Sequence, residues 1–205
     1  MQYLSGLSVC HRPAAEDGKA AGFMVIKTVF LQILRQDIYG IYIMFTAGVL
    51  TVSDKGAAGI RKDETGDRVV ELLEKNDFIV SVKEIVPDEK QQIADKIVEW
   101  VETCKLDLIV TAGGTGISPR DVTPQATRMA IDYEVPGMAE AMRAASLRIT
   151  PHAMLSRAVA GVRGSCLVIN LPGSPKGALE NLAVVLPALN HGLLKLAGDM
   201  SDCAT

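Results

Sequence analysis

A chain of 205 residues, 48% hydrophobic and 22% charged, carries enough apolar material for one domain with a sizeable core, which excludes a disordered chain. The net charge of −3 gives no general surface for nucleic acid, but it is unevenly spread: Arg120 to Lys176 holds seven Lys/Arg against four Asp/Glu, leaving −6 elsewhere. A basic segment within an acidic chain suits an anionic small molecule better than a polyanion.

Residues 1–43 differ in texture from the rest. "FMVIKTVFLQIL" is apolar, but Lys27 and Gln32 interrupt it and it falls short of the ~18 residues needed to span a membrane. No basic stretch precedes it as in a signal peptide. Residues 1–43 are therefore read as an N-terminal extension outside the functional domain, with the domain at 44–205 starting from Met44. An extension that packs on the domain, or a targeting segment, is the other reading.

After Met44, apolar runs alternate with helical patterns. "AGVLTV" reads as a first strand, "GDRVVELLEKN" as a helix capped by Thr65, and "FIVSVKEIV" as a second strand. Between 89 and 104, Ile93, Ile97, Trp100, Val101 and Cys104 recur on one helical face, which should be core. "LDLIVT" is a third strand, and helical signals follow at 124–132, 137–148 and 153–161. "SCLVINL" reads as a buried strand before a closing helix that turns Leu182, Val185, Leu186, Leu189 and Leu193 inward. Near-continuous apolar strands separated by helices predict a three-layer α/β/α fold around a mostly parallel sheet. Ligands of such sheets sit beyond the carboxyl ends of the strands.

Cys10, Cys104, Cys166 and Cys203 lie far apart, without C-x-x-C spacing or a Cys/His cluster. They are read as reduced thiols in a cytosolic protein, and His11, His152 and His191 as structural or surface residues.

Four stretches stand out at the expected strand ends. "TAGGTGISPRDVTPQAT" carries Gly113, Gly114 and Gly116, which allow a tight strand-to-helix turn or close approach to a ligand. The spacing matches neither a P-loop nor G-x-G-x-x-G. With Thr123 read as the N-cap of the next helix and Pro124 at N1, Asp121 is left over beside Arg120. It is either a Mg²⁺ ligand or one half of a surface pair. In "PDEKQ", Asp88 can cap the 89–104 helix with Gln91 at N3, or serve a site. "NLPGSPKG" ends a strand and opens a helix with Ser174 as N-cap, forming an anion site with Lys176 or a plain capped turn. "SDKGAAGIRKDETG", residues 53–66, is a long polar loop, functional or merely solvated.

Together with "VPDE" and "ITPHAMLSRAVAGVRGS", these stretches resemble the molybdopterin adenylyltransferase family, including the G domains of gephyrin-like fusion proteins. The resemblance runs in order from about Met44 to Leu196, and "SPRDVTP" after "GGTG" is of the catalytically active type. It implies a trimeric cytoplasmic enzyme that transfers AMP from Mg-ATP to molybdopterin, releases pyrophosphate and hands its product to a molybdenum-insertion enzyme. A membrane or nucleic-acid partner is not implied. By the resemblance, Asp88 and Asp121 are the catalytic carboxylates near Mg²⁺, and Ser53 and Asp54 join Asp88 at the nucleotide. The pterin side would comprise Gly113, Gly114, Thr115, Gly116, Ser118, Ser156, Arg157, Asn170, Pro172, Gly173, Ser174 and Lys176. Ser174 and Lys176 stand where relatives vary. The alternative is a catalytically silent trimeric carrier or scaffold for the pterin.

Overall fold

The computed structural model describes residues 44–199; the N-terminal extension lies outside them. Six strands form one sheet: β1 (Thr46–Val52), β2 (Ile79–Val86), β3 (Leu108–Ala112), β4 (Tyr133–Glu134), β5 (Ala160–Arg163) and β6 (Cys166–Leu171), in the order β2-β1-β3-β6-β5-β4. The first four in that order are mutually parallel, whereas β5 runs antiparallel to both β6 and β4. The helices are α1 (Asp54–Ala57), α2 (Glu64–Glu74), α3 (Lys90–Glu102), α4 (Thr123–Ala130), α5 (Pro136–Leu147) and α6 (Pro175–Leu196), with a 3₁₀ turn at Pro151–Leu155.

Alternating side chains divide the core into two layers, because successive strand residues point to opposite faces. On one face Val110, Leu167, Ile169 and Leu171 meet Leu73 of α2, Met142 of α5 and Leu182 and Leu189 of α6. On the other, Leu50, Ile109 and Val168 meet Ile93, Ile97 and Trp100 of α3 and Ala126 and Ala130 of α4. Ile93, Ile97 and Trp100 are fully buried, as the helical spacing predicts, and each contributes about 1.5–3 kcal/mol before entropy is counted. Val101 and Cys104 are only half-buried.

The structure departs from the sequence reading at several local points. The cap of α2 is Asp63, whose carboxylate accepts from Gly66 N at 2.9 Å, not Thr65. Asp63 is fixed from outside the helix as well: Thr51 Oγ1 donates to it at 2.9 Å and Lys83 Nζ lies 3.1 Å away. α3 has no side-chain cap, so Asp88 does not cap it. Val122 stands at the N-cap of α4, and the Thr123 hydroxyl instead donates to Gly113 O at 2.8 Å. The 153–161 stretch is a short 3₁₀ turn followed by extended chain entering β5. Cys166 is free and buried.

Each parallel strand ends directly in one of the marked stretches. Val52 leads to Ser53 and Asp54, Val86 to Pro87 and Asp88, Ala112 to Gly113, and Leu171 to Pro172. Parallel pairing thus gathers four distant sequence segments at one edge of the sheet.

Candidate active site

The turn after β3 is the centre of this edge. Gly113 and Gly114 have φ of 115° and 64°, values that strain residues with a Cβ. A Cβ on Gly113 would overlap the Val52 carbonyl oxygen, and one on Gly114 would overlap the Thr123 hydroxyl and lie 3.1 Å from Asp88 Oδ1. A Cβ on Gly116 would lie 2.9 Å from Asp121 Oδ2. Both carboxylates therefore rest against the bare backbone of this turn.

On the carboxylate side, Asp54 and Asp88 exchange hydrogen bonds. Asp54 N donates to Asp88 Oδ2 at 2.9 Å, and Asp88 N donates to Asp54 Oδ1 at 3.0 Å. Arg120 grips Asp54 through Nε at 3.1 Å and Nη2 at 2.8 Å, and reaches Glu89 through Nη1 at 2.9 Å. Ser53 caps α1, its Oγ accepting from Gly56 N at 3.1 Å. Asp121 accepts from Ser118 N at 2.7 Å through Oδ2. The Arg120–Asp121 surface pair considered from sequence does not form; Arg120 pairs with Asp54 and Glu89 instead.

These contacts move the local titrations in opposite directions. Hydrogen bonds from Arg120, then from the Asp88 amide, hold Asp54 below the usual carboxylate range. Burial pushes Asp88 above it, with the charges of Asp54 and Asp121 adding to the rise against the opposing Asp88–Asp54 bond and Arg120.

On the other side of the turn lies a cavity of about 310 Å³. Thr115, Gly116, Ser156, Pro172 and Ser174 line its near wall. Its far wall comes from α5, the 3₁₀ turn and α6, through Arg143, Ser146, Thr150, His152, Glu180 and Asn181. Ser174 caps α6 as expected, its Oγ accepting from Gly177 N at 3.3 Å. The Thr65 hydroxyl donates to Gly173 O at 2.8 Å and ties the first polar loop to this helix start.

Not every marked residue reaches the cavity. Asn170 is fully buried: its Nδ2 donates to Thr111 Oγ1 at 2.9 Å and Thr127 Oγ1 at 2.8 Å, and its Oδ1 accepts from Val159 N at 3.2 Å. Arg157 sits behind the turn, Ser118 is exposed, and Lys176 extends outward, 3.9 Å from Glu180. Gly113, Gly114 and Gly173 shape the backbone without lining the cavity. No motif of the sequence marks the far wall. Its one sequence signal is helical spacing, since Gly177, Glu180 and Asn181 follow the capped start of α6 at i+3 and i+4 intervals.

Asp88 and Asp121 fit a hard divalent cation. Each commits Oδ2 to an amide, and no donor among the described residues reaches either Oδ1. Among those residues no group of three His/Cys/Asp/Glu forms a closed metal cage. Such an open pair suits Mg²⁺, which takes one or two carboxylates and completes its shell with water and substrate phosphate.

A mixed sheet between two helical layers, with a capped helix start, a glycine turn and a hydroxyl-lined cavity at the strand ends, defines an α/β domain built for an anionic small molecule. Residues 48–191 match the family described as "Probable molybdopterin binding domain", and the chain belongs to that family.

Its relatives include the molybdopterin adenylyltransferase of Helicobacter pylori, 40% identical over 148 residues that cover 70% of this chain and 83% of that protein. Gephyrin of Dictyostelium discoideum is 44% identical over 157 residues, 71% of this chain; the match spans only 22% of that protein's length. Among solved structures, the molybdopterin biosynthesis enzyme MoaB of Thermus thermophilus superimposes with a TM-score of 0.72 at 54% identity, covering 76% of this chain and 98% of that one. The fold read from the sequence is thus that of these proteins. Among the described residues no helix is long and apolar enough to cross a membrane.

Proposed function

We propose that this chain is a molybdopterin adenylyltransferase of molybdenum cofactor biosynthesis, using magnesium ATP. One observation carries the reading: the glycine turn has the Asp88 and Asp121 carboxylates against one side and the cavity on the other. In this reading the turn is where the phosphates of the two substrates meet. In the reaction, an oxygen of the pterin's terminal phosphate attacks the α-phosphorus of ATP. A new P–O–P bond forms, and the bond to the β-phosphate breaks, its electron pair leaving with pyrophosphate. Such transfers depend mainly on alignment and charge neutralisation.

The chain's own groups supply the alignment. The cavity hydroxyls offer donors and acceptors to a pterin ring, the Asn181 carbonyl offers an acceptor, its N–H groups being taken by Ser146 and Gly177, and Arg143 offers a cation. The dipole of α6 favours negative charge at its start, where Ser174 already takes the Gly177 and Ala178 amides and Pro175 has none. Bound Mg²⁺, held through Asp88 and Asp121, would neutralise the phosphates of ATP. Ser53 and Asp54 fix the polar loop beside the nucleotide. A homotrimer, a cytoplasmic setting and a downstream molybdenum-insertion enzyme complete the proposal on the strength of the sequence resemblance. Exposed Leu147, Ile149, Met154 and Leu155 provide apolar surface suited to subunit contact.

Incubation with molybdopterin, ATP and Mg²⁺ tests the reading. Pyrophosphate release in step with adenylylated pterin supports it. Tight pterin binding without pyrophosphate would replace it with the carrier.

A further inference from the structure

Arg157 directs its backbone amide and two of its three guanidinium nitrogens to one short segment. Its backbone N–H donates to Thr115 O at 2.9 Å, its Nε donates to Gly116 O at 2.6 Å, and its Nη2 donates to Asp121 O. That segment, 115–121, is neither helix nor strand, and its internal ties are three: Asp121 N to Ser118 O at 2.9 Å, Ser118 N to the Asp121 carboxylate, and Arg120 N to Ser118 Oγ at 3.4 Å. Thr115 and Gly116 line the cavity, while Asp121 lies on the carboxylate side. Arg157 thus holds both ends of the segment that joins the two halves of the site.

We propose that Arg157 is a positioning residue: its guanidinium fixes the distance between the pterin cavity and the Asp121 carboxylate without touching substrate. The inference rests on the adenylyl-transfer reading, and gives Arg157 a different role from the substrate contact that the family resemblance implies. Two observations favour it over direct contact. Arg157 is absent from the cavity wall, and two of its guanidinium nitrogens are bound to carbonyls. The planar guanidinium fork can hold two carbonyls at fixed separation, whereas a lysine ammonium on a flexible stem cannot. Misplacement of a reacting group by about 1 Å can lower the rate on the order of 100-fold, so a small slackening of this segment should show in turnover.

The test compares wild type with Arg157→Lys, which keeps the charge and the main-chain bond to Thr115 O but loses the fork. Three readouts are taken: kcat and KM for pyrophosphate release, equilibrium binding of molybdopterin without ATP, and hydrogen exchange at the Ser118 and Asp121 amides. The expected result is a kcat lowered on the order of 100-fold, molybdopterin binding close to wild type, and faster exchange at those two amides. Unchanged kcat with unchanged exchange overturns the proposal. So does weakened molybdopterin binding with normal kcat and exchange, which is the signature of a substrate contact. Absence of turnover in the wild type would sink the adenylyl-transfer reading instead, and the exchange comparison would still decide whether Arg157 holds the segment. If Arg157→Lys does not fold, Arg157→Gln, with a planar neutral amide, serves for the same three readouts.

Discussion

The two sides of the Gly113–Gly116 turn are built from opposite chemistry. On one side the Arg120 guanidinium pairs with Asp54 and Glu89 in solvent, Asp54 exchanges hydrogen bonds with Asp88, and Asp121 adds a further carboxylate against the turn. On the other, hydroxyls, an amide, His152 and apolar side chains such as Leu155 enclose a cavity with one permanent cation, Arg143, and one carboxylate, Glu180. The difference is that between holding a metal-bound polyphosphate and holding a heterocycle. A carboxylate cluster repels a bare anion, and becomes an attractive site only when a cation is shared. A hydroxyl-rich cavity recognises shape and hydrogen-bonding pattern with little dependence on charge. Changes on one side should therefore affect turnover, and changes on the other should affect pterin binding.

The largest break expected between the two sides comes from Asp88→Asn. The amide keeps the acceptor for Asp54 N but removes the charge, so turnover should fall by about 100-fold or more while molybdopterin binding persists. Steady-state pyrophosphate release and equilibrium binding measure the two separately, and equal losses in both would erase the division.

Gly113→Ala should damage both sides together, because the added Cβ meets the Val52 carbonyl at a backbone φ of 115°. Strain of this kind costs roughly 1–3 kcal/mol, which lowers Tm by about 2–4 °C per kcal/mol at this size. Thermal melting beside pterin binding checks it; an unshifted Tm with normal binding would show that the turn relaxes freely.

The smallest effect sharpens the electrostatics of the carboxylate side. Folding raises the Asp88 pKa, so this group takes up its proton above the usual value of about 3.9. Its protonation on acidification should remove activity, placing the acid limb of kcat/KM above that value. Arg120 lowers the Asp88 pKa through its charge, so Arg120→Gln should move this limb further toward neutral pH. Asp54 responds with the opposite sign. Its pKa is held down mainly by Arg120, so the stability it contributes is present above the unfolded carboxylate pKa and is lost as pH falls through the lower folded value. In Arg120→Gln that contribution should shrink. A pH–rate profile in which the acid limb stays fixed or moves downward would contradict the assignment.

Much of this architecture was legible in the sequence because it is written locally. β1, β2, β3 and β6 are apolar runs at the lengths of strands, and Ile93, Ile97 and Trp100 mark a buried helical face. Ser174 before Pro175 announced the cap of α6. β5 was hidden because Met154, Leu155, Ala158 and Val159 continue a helix-like spacing into extended chain. There the Arg157 amide is drawn to Thr115 O, a contact across 42 positions that no local pattern encodes. The same holds for Asp88. Its neighbours suggest a capping box, but the parallel pairing of β1 and β2 brings Asp54 beside it, and that pairing decides its hydrogen bonds. Asp121 was singled out on the premise that Thr123 caps α4; the cap lies elsewhere, but Asp121 remains outside the helix with one oxygen directed to Ser118 N. The far wall of the cavity was invisible for a related reason: α5 reaches the site by packing against α6, and the 3₁₀ turn by packing against α5.

The division of labour across the glycine turn is tested most directly by Asp121→Asn, assayed for both molybdopterin binding and pyrophosphate release from ATP and Mg²⁺. The substitution removes a charge from the carboxylate side while Asn Oδ1 can still accept from Ser118 N, so the segment need not rearrange. The expected result is binding at wild-type affinity with turnover lowered by about 100-fold or more. Wild-type turnover in this variant, or loss of pterin binding with turnover intact at saturation, would contradict the account.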